Sequence, residues 1–157
     1  MIEVKNKDKV FVRFKGLYTD DDSMETVNEG SYCVINGKEY IRYEEEAGNE
    51  GTAKDGAAKV TSTIKIDGAG VEVLKKGAIN TNMRFVKGEE TAFLYSTPYG
   101  NMDMSIRTSA LDINRDDDRI KICLIYSILM NGDTVSDCEL EIEIWSFRNG
   151  GIYEKTV

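Results

Sequence analysis

The sequence predicts an all-β protein: a single antiparallel up-and-down (meander) β-barrel of about 8–10 strands. Apolar and polar residues alternate with period two along most of the chain, and no long stretch shows the i, i+3, i+4 spacing of an amphipathic helix. Short runs rich in Val, Ile, Tyr, Phe and Thr recur about every ten residues, separated by turn-forming residues. A sheet of so many sequential strands protects its edges most simply by closing on itself.

The first clear hairpin is centred on Asn36-Gly37, in the stretch VINGKEY. Both central positions of a type I′ turn need positive φ, and Asn-Gly is the dipeptide that supplies it most readily. Residues 32–35 should therefore pair with residues 38–43.

Two glycines, Gly68 and Gly88, each stand first in a two-residue loop between apolar runs. A glycine in this position suits a type II′ turn, which is one of the two preferred turns of tight hairpins. Counting outward from the loop Gly88-Glu89 places Phe85 opposite Ala92. The sequence therefore predicts a hairpin at each of these glycines.

Two further turns are predicted as three-residue loops, at residues 75–77 and 98–100, each with its glycine in the left-handed third position. Pro98, the only proline in the chain, presets φ at the first position of the second loop. This count sets Leu94 opposite Met104. Together the four turns predict one continuous apolar surface, made of Ile64, Ile66, Val71, Val73, Ile79, Met83, Phe85, Leu94, Met102, Met104 and Ile106.

The last two predicted strands are RIKICLIYSILM and CELEIEIW, joined through a turn at Asn131-Gly132. The first of them is apolar on both faces, so we expect it to be covered on both sides. If the apolar faces of the two strands match, Cys123 and Cys138 point to opposite sides of the sheet. A disulfide between them is then excluded.

Polar and acidic segments complete the chain. Residues 19–30 are expected to form an acidic connector with at most one helical turn, and residues 45–58 a Gly-rich loop. The acidic runs at 20–22, 44–46 and 116–118 lack the spacing of a calcium-binding loop, so we expect them to be solvated charge.

Composition narrows the classes of partner and location. We expect the 157 residues to form one domain, residues 1–157. The formal charge of −8 disfavours nucleic acid and anionic membrane surfaces as partners. No stretch approaches the roughly 18 apolar residues of a membrane span, and the first residues, MIEVKNKDKV, lack the apolar core of a signal peptide. A cytoplasmic location is therefore expected.

The chain contains no histidine, which removes the commonest general base, the usual metal ligand and every Ser/His or Cys/His triad. Its three cysteines show no C-x-x-C spacing and are expected to be small buried apolar residues. We accordingly expect no enzyme, no metal site and no cofactor.

Three elements of the sequence carry a family resemblance: Tyr43-Glu44-Glu45, Lys75-Lys76-Gly77 and, most specifically, Thr97-Pro98-Tyr99-Gly100. With these elements, about residues 10–145 resemble the YwiB-like family of bacterial calycin-like β-barrels, a family of unknown function. The resemblance implies a barrel related in shape to lipocalins and fatty-acid-binding proteins, which often hold small apolar ligands.

The leading functional hypothesis is non-enzymatic binding of a small, partly apolar molecule inside the barrel or at its mouth. In the predicted register Arg107 shares a face with Tyr95 and Asp103, so it either binds a ligand carboxylate or forms an ion pair with Asp103 on the outer face. Tyr99, at a hairpin tip, either packs over the barrel end or contacts a partner. The candidate ligand-binding residues are Tyr43, Glu45, Arg84, Tyr95, Tyr99 and Arg107.

The alternative hypothesis is a protein-interaction module that presents an exposed strand edge or the acidic connector to a basic partner. A homodimer or a protein partner is compatible with the sequence under either hypothesis.

Overall fold

The computed structural model describes residues 8–18, 23–46, 59–68 and 70–146, and within these ranges it consists of ten antiparallel strands and no helix. The predicted all-β class and the strand number are confirmed. In chain order the strands are β1 (Asp8–Tyr18), β2 (Ser23–Ile35), β3 (Lys38–Glu46), β4 (Lys59–Asp67), β5 (Gly70–Gly77), β6 (Thr81–Val86), β7 (Glu90–Thr97), β8 (Gly100–Arg115), β9 (Arg119–Met130) and β10 (Asp133–Ser146).

The strands form a single sheet in the order β6-β5-β4-β3-β2-β1-β10-β9-β8-β7, curled into a nearly closed barrel. The first and last strands pair with each other, so the two sheet edges are β6 and β7. These edges meet at one bridge within the described residues, between Asn80 and Ser96, where each backbone N–H donates to the other's carbonyl at 3.0 Å. We call this junction the β6–β7 seam.

Three of the predicted tight turns set the registers that the sequence indicates. Asn36 and Gly37 have φ of 55° and 80°, as a type I′ turn requires, and Tyr32 pairs with Ile41. The turn at residues 131–132 also has positive φ at both positions. Gly68 has a φ of 56° in a two-residue loop, which confirms the hairpin between β4 and β5.

The predicted three-residue loop at 98–100 is wrong by one residue. Thr97 pairs with Gly100, so only Pro98 and Tyr99 lie between the strands. Gly100 has a φ of 138° and already belongs to β8. This shift turns the predicted faces of β7 over: Phe93, not Leu94, lies opposite Met104, and Leu94 is 46% exposed on the outer face.

The predicted loop at 75–77 is also wrong, because Lys75 and Gly77 remain in β5 and the chain turns only at residues 78–80. Gly77 still pairs with Val60 of β4, and the Asn80 side chain accepts from the Gly77 N–H and donates to its carbonyl. Since the β5–β6 register shifts by an even number of residues, the side chains of both strands still point to the predicted faces of the sheet. Phe85 still faces the interior, and Ile79 falls in the turn.

The predicted hairpin at Gly88-Glu89 is wrong in both its turn and its pairing. The turn is closed by the Glu89 N–H donating to the Val86 carbonyl, which puts Gly88 with a φ of 82° in the third position, as in a type II turn. Within this turn the Gly88 N–H donates to the Thr108 carbonyl of β8, and the Glu89 carbonyl accepts from the Thr108 N–H. The pairing of Phe85 with Ala92 is therefore replaced by the β6–β7 seam.

Two further expectations are corrected. Residues 23–30, predicted as part of an acidic connector, form the first half of β2 and pair with β1. The rest of that connector, residues 19–22, lies outside the described residues, and so do residues 47–58 of the predicted Gly-rich loop. Strand β9 is not covered on both sides, because Ile125 is 44% exposed on the outer face. Cys123 and Cys138 do point to opposite faces, opposite Glu141 and Tyr126 respectively.

Alternation of side chains places the apolar core inside the barrel. We call the end that carries the turn at 36–37 and the connection between β4 and β5 the lower end, and the end that carries the turns at 98–99 and 131–132 the upper end. The fully buried core residues contributed by strands all around the sheet include Val12, Ile41, Ile64, Ile106, Ile122 and Ile142. A bulge between Thr108 and Ala110 in β8 keeps the apolar positions of that long strand facing inward on both sides of it.

Candidate ligand-binding cavity

Among the residues that the structure describes, side chains leave the upper half of the barrel interior unfilled, with a cavity of about 440 Å³. Its wall is mainly apolar and aromatic and includes Phe14, Met83, Phe85, Phe93, Tyr95 and Tyr126. Phe85 and Tyr126 pack edge to face with ring centroids 4.9 Å apart, so this part of the wall is held by direct aromatic contact. A cavity of this size and character is within the range that binds small organic molecules.

A small polar cluster interrupts the apolar wall: Glu45 of β3 and Lys75 of β5 line the cavity, and the fully buried Ser62 of β4 joins them by hydrogen bonding. The Ser62 hydroxyl donates to Glu45 Oε2 at 2.9 Å, and the Lys75 ammonium forms an ion pair with the same oxygen. Lys75 Nζ also lies 3.4 Å from Ser62 Oγ. The strand registers place all three side chains on the inner face, and Glu45 and Lys75 are the charged side chains among the described residues that line the cavity.

Tyr43 lies beside this cluster and is almost completely buried, opposite Ser62 on β4 and 5.7 Å from the ring of Phe14 between centroids. Burial raises the pKa of the Tyr43 hydroxyl far above its ordinary value; the nearby Glu45 carboxylate raises it further, and a hydrogen bond with Ser62 only partly opposes them. The phenol therefore stays protonated and serves as a polar but uncharged part of the wall.

The cavity brings together three of the six residues proposed from the sequence: Tyr43, Glu45 and Tyr95 all line it. Tyr95 reaches the interior because of the one-residue shift in the β7–β8 hairpin. It therefore does not share a face with Arg107, and that prediction is wrong.

The other three proposed residues lie outside the cavity. Arg107 pairs with Glu90 at 3.4 Å rather than with Asp103, on the outer face, and Arg84 lies 3.9 Å from Glu72. Tyr99 is 90% exposed at the tip of its hairpin and does not cover the barrel end.

Sequence reasoning missed Ser62 and Lys75, although a signal was present. The Asn36-Gly37 turn puts Ile41, Tyr43 and Glu45 on one face, and Lys75 has the same parity as the inward-facing residues of β5. Two opposite charges at inward-facing positions near the upper ends of their strands predict an ion pair near the mouth of the barrel. The predicted turn at 75–77 hid this signal, because it removed Lys75 from the strand.

A second, smaller pocket of about 180 Å³ lies at the lower end and is polar. Arg115 Nη1 and the Tyr32 hydroxyl donate to Glu39 Oε2 at 2.6 and 2.8 Å. Burial alone would raise the pKa of Glu39, but the hydrogen bonds from Arg115 and Tyr32, with the charge of Arg115, outweigh it and lower that pKa. This network satisfies its own charges and ties β3 to the end of β8 across the barrel.

Within the described ranges, no group of three or more Asp, Glu or Cys side chains is arranged to hold a metal ion. Of the acidic runs, residues 116–118 are exposed, and Asp116 lies 3.7 Å from Arg119. The same ranges contain no helix with the length and hydropathy of a membrane span.

Comparison with known proteins agrees with this architecture. A family model described as "Domain of unknown function (DUF1934)" matches residues 10–142. The chain belongs to the DUF1934 family. The resemblance to YwiB-like proteins is thereby confirmed, and the chain is similar to the "Uncharacterized beta-barrel protein YwiB" of Bacillus subtilis (strain 168), at 25% identity over 128 residues, covering 80% of this chain and 84% of that protein.

The chain is also similar in fold to a solved structure, described as "Crystal structure of ywiB protein from Bacillus subtilis". It matches with a TM-score of 0.78 and 23% identity, covering 91% of this chain and 94% of the other. This match shows a common fold.

Proposed function

We propose that this DUF1934 protein binds a small, partly apolar molecule in the cavity at the upper end of its barrel. The observation that carries the proposal is the unfilled interior of about 440 Å³, walled mainly by apolar and aromatic side chains with one polar cluster. An apolar cavity with a few placed polar groups is the usual form of a small-molecule site, in which burial supplies affinity and the polar groups supply orientation.

The packing below the cavity supports a preformed site. The lower half of the interior is filled by residues with no solvent exposure, such as Val12, Ile64 and Ile142, so the cavity has a solid floor. Many lipocalin-like barrels hold ligands in such an interior, and the proposal extends that mode of binding to this chain. Fold likeness alone does not carry it, because one fold serves many functions.

The proposal further treats the protein as a cytoplasmic binding protein and not an enzyme, without a nucleic-acid or membrane partner. Its support is the chain's lack of histidine and its formal charge of −8. The residues around the cavity fit this role, since the Glu45–Lys75 pair neutralises itself and the Tyr43 phenol stays protonated.

A dye titration with a matched pair of variants tests the proposal. Nile red, a neutral apolar dye, is titrated against the wild type and its emission is followed. Thr26 lines the cavity, whereas the adjacent Val27 is 56% exposed and points to the opposite face. Thr26→Trp places an indole in the cavity and is expected to weaken dye binding about tenfold or more, while Val27→Trp leaves it unchanged.

Two results would count against the proposal. The first is a wild-type protein that does not bind the dye at all. The second is an equal loss of dye binding in Thr26→Trp and Val27→Trp, since the dye would then bind outside the barrel or respond to a general loss of stability.

A further inference from the structure

The Glu45–Lys75 pair in the cavity wall offers a ligand hydrogen-bonding groups without a net charge. Both side chains line the cavity, and each retains 24% of its solvent exposure. They come from β3 and β5, with Ser62 of β4 between them, so three adjacent strands hold their relative position.

Each partner has hydrogen-bonding capacity left for a ligand. Ser62 and Lys75 both donate to Oε2 of Glu45, and among the described residues no donor contacts Oε1. An ammonium group has three N–H bonds, and the contacts of Lys75 with Glu45 and Ser62 account for two of them within the described part of the chain. The pair therefore presents one acceptor and one donor side by side on the cavity wall.

The charge on a ligand decides whether it can use both groups. A carboxylate accepts from Lys75 but is repelled by Glu45, and an ammonium group donates to Glu45 but is repelled by Lys75. A carboxamide meets neither repulsion, because its carbonyl accepts from Lys75 while its N–H donates to Glu45. The carbonyl oxygen and the nitrogen of the carboxamide then each have a hydrogen-bonding partner.

Resting on the proposed function, we propose that the cavity selects molecules with an apolar body and a neutral polar end that both donates and accepts hydrogen bonds, such as a primary carboxamide. The same body carrying a carboxylate or an ammonium group is bound more weakly. The rest of the wall supplies the site for the body, because Phe85, Phe93 and Tyr126 give it aromatic surfaces to pack against.

Three probes that share one aromatic body test this selectivity: 2-naphthamide, 2-naphthoate and 2-naphthylmethylamine. Each displaces Nile red from the full-length protein at pH 7, where the three heads are neutral, negative and positive. For the wild type, 2-naphthamide is expected to bind about three- to tenfold more tightly than either charged probe. A charged probe that binds as tightly as the amide would overturn the inference.

Any apolar cavity disfavours charge, so the decisive measurement is a change of preference in two single variants. Lys75→Met leaves Glu45 without its cation, so the affinity for 2-naphthylmethylamine is expected to rise relative to that for 2-naphthoate. Glu45→Gln leaves Lys75 without its anion, and the order of the two charged probes is expected to reverse. Thermal melting of both variants establishes that they are folded at the temperature of the titration.

The outcomes separate this inference from the function on which it rests. If the dye binds but the two variants keep the same order of charged probes, the head-group inference is refuted and the cavity remains a ligand site. If wild-type protein binds neither dye nor probes, both are refuted. If Lys75→Met binds the ammonium probe more tightly relative to the carboxylate, and Glu45→Gln does the reverse, the Glu45–Lys75 pair determines which polar end of a ligand is bound.

Discussion

Replacing Gly77 by alanine should destabilise the barrel much more than the same change at Gly88, although both glycines have positive φ. At Gly77, φ is 131° and an added Cβ would lie 2.3 Å from the backbone oxygen of Lys59. At Gly88, φ is 82° and no atom lies within 4 Å of the added Cβ. Both variants carry conformational strain, but only Gly77→Ala forces two strands apart.

The magnitude follows from what must move. Positive φ costs a non-glycine residue about 1–3 kcal/mol, reduced by somewhat less than 1 kcal/mol because alanine also stiffens the unfolded chain. We therefore expect Gly88→Ala to lose about 1 kcal/mol. In Gly77→Ala the carbonyl of Lys59 must shift, which disturbs the hydrogen bond it accepts from Ala78 and the pairing of Gly77 with Val60. At about 1 kcal/mol for each hydrogen bond, the total loss is about 3 kcal/mol.

The assay is urea unfolding followed by the fluorescence of Trp145, the only tryptophan in the chain. The free energies of unfolding of both variants are compared at an unchanged m-value. Equal losses for Gly77→Ala and Gly88→Ala would refute the steric argument, since both positions carry strain from positive φ and only Gly77 also meets the Lys59 oxygen of β4.

Three further changes test the core, the buried phenol and the polar network at the lower end. Phe85→Ala removes a buried ring packed on Tyr126 and should cost about 3–5 kcal/mol in urea unfolding. Tyr43→Phe should remove part of the loss of stability above about pH 10, where the unfolded chain ionises this phenol and the folded chain does not, as measured by unfolding between pH 8 and about pH 11. Arg115→Leu leaves the Glu39 carboxylate without its cation and should lower the free energy of unfolding at pH 7 by about 1 kcal/mol, a modest loss because Arg115 is half exposed. The difference from the wild type should disappear as the pH falls below 4.5, the ordinary pKa of the Glu39 carboxyl, because the carboxyl is then protonated.

Each of these expectations has an outcome that contradicts it. A loss below about 1 kcal/mol for Phe85→Ala would mean that the wall of the cavity collapses freely around the missing ring. If the free energy of unfolding of Tyr43→Phe falls at alkaline pH as steeply as that of the wild type, the hydroxyl of Tyr43 in the wild type is accessible to water in the folded protein. A constant effect of Arg115→Leu from pH 7 to pH 3 would mean that packing of its side chain, and not the charge of Glu39, accounts for the loss.

Sequence patterns predicted the class of fold well because glycine and asparagine at tight turns determine register locally. Asn36-Gly37 and Gly68 have one low-energy turn geometry each, and strand pairing follows from it. The stretch Thr97-Pro98-Tyr99-Gly100 allows two, since Gly100 can end the loop or begin the strand. Only the packed barrel, which buries Phe93 and exposes Leu94, decides between them.

The candidate site was less predictable because it depends on three strands that are distant in the chain. Glu45 meets Ser62 and Lys75 only when the registers of β3, β4 and β5 are combined. A one-residue error in any register would reverse a face, and the β7–β8 hairpin shows that such an error is easily made. The cavity itself is a property of how side chains fill the interior, which alternation along the strands does not specify.

The pairing of β1 with β10 affects how this protein is completed during synthesis. Val12 lies opposite Ile144, so the first described strand receives its second neighbour only when the last one has left the ribosome. Until then the growing chain can form β1–β6 as a meander with an open edge at β1, and such an edge is a site for misassembly with other chains. Closure of the barrel therefore waits for β10, and its rate should be governed by this contact between remote segments and not by the local hairpins.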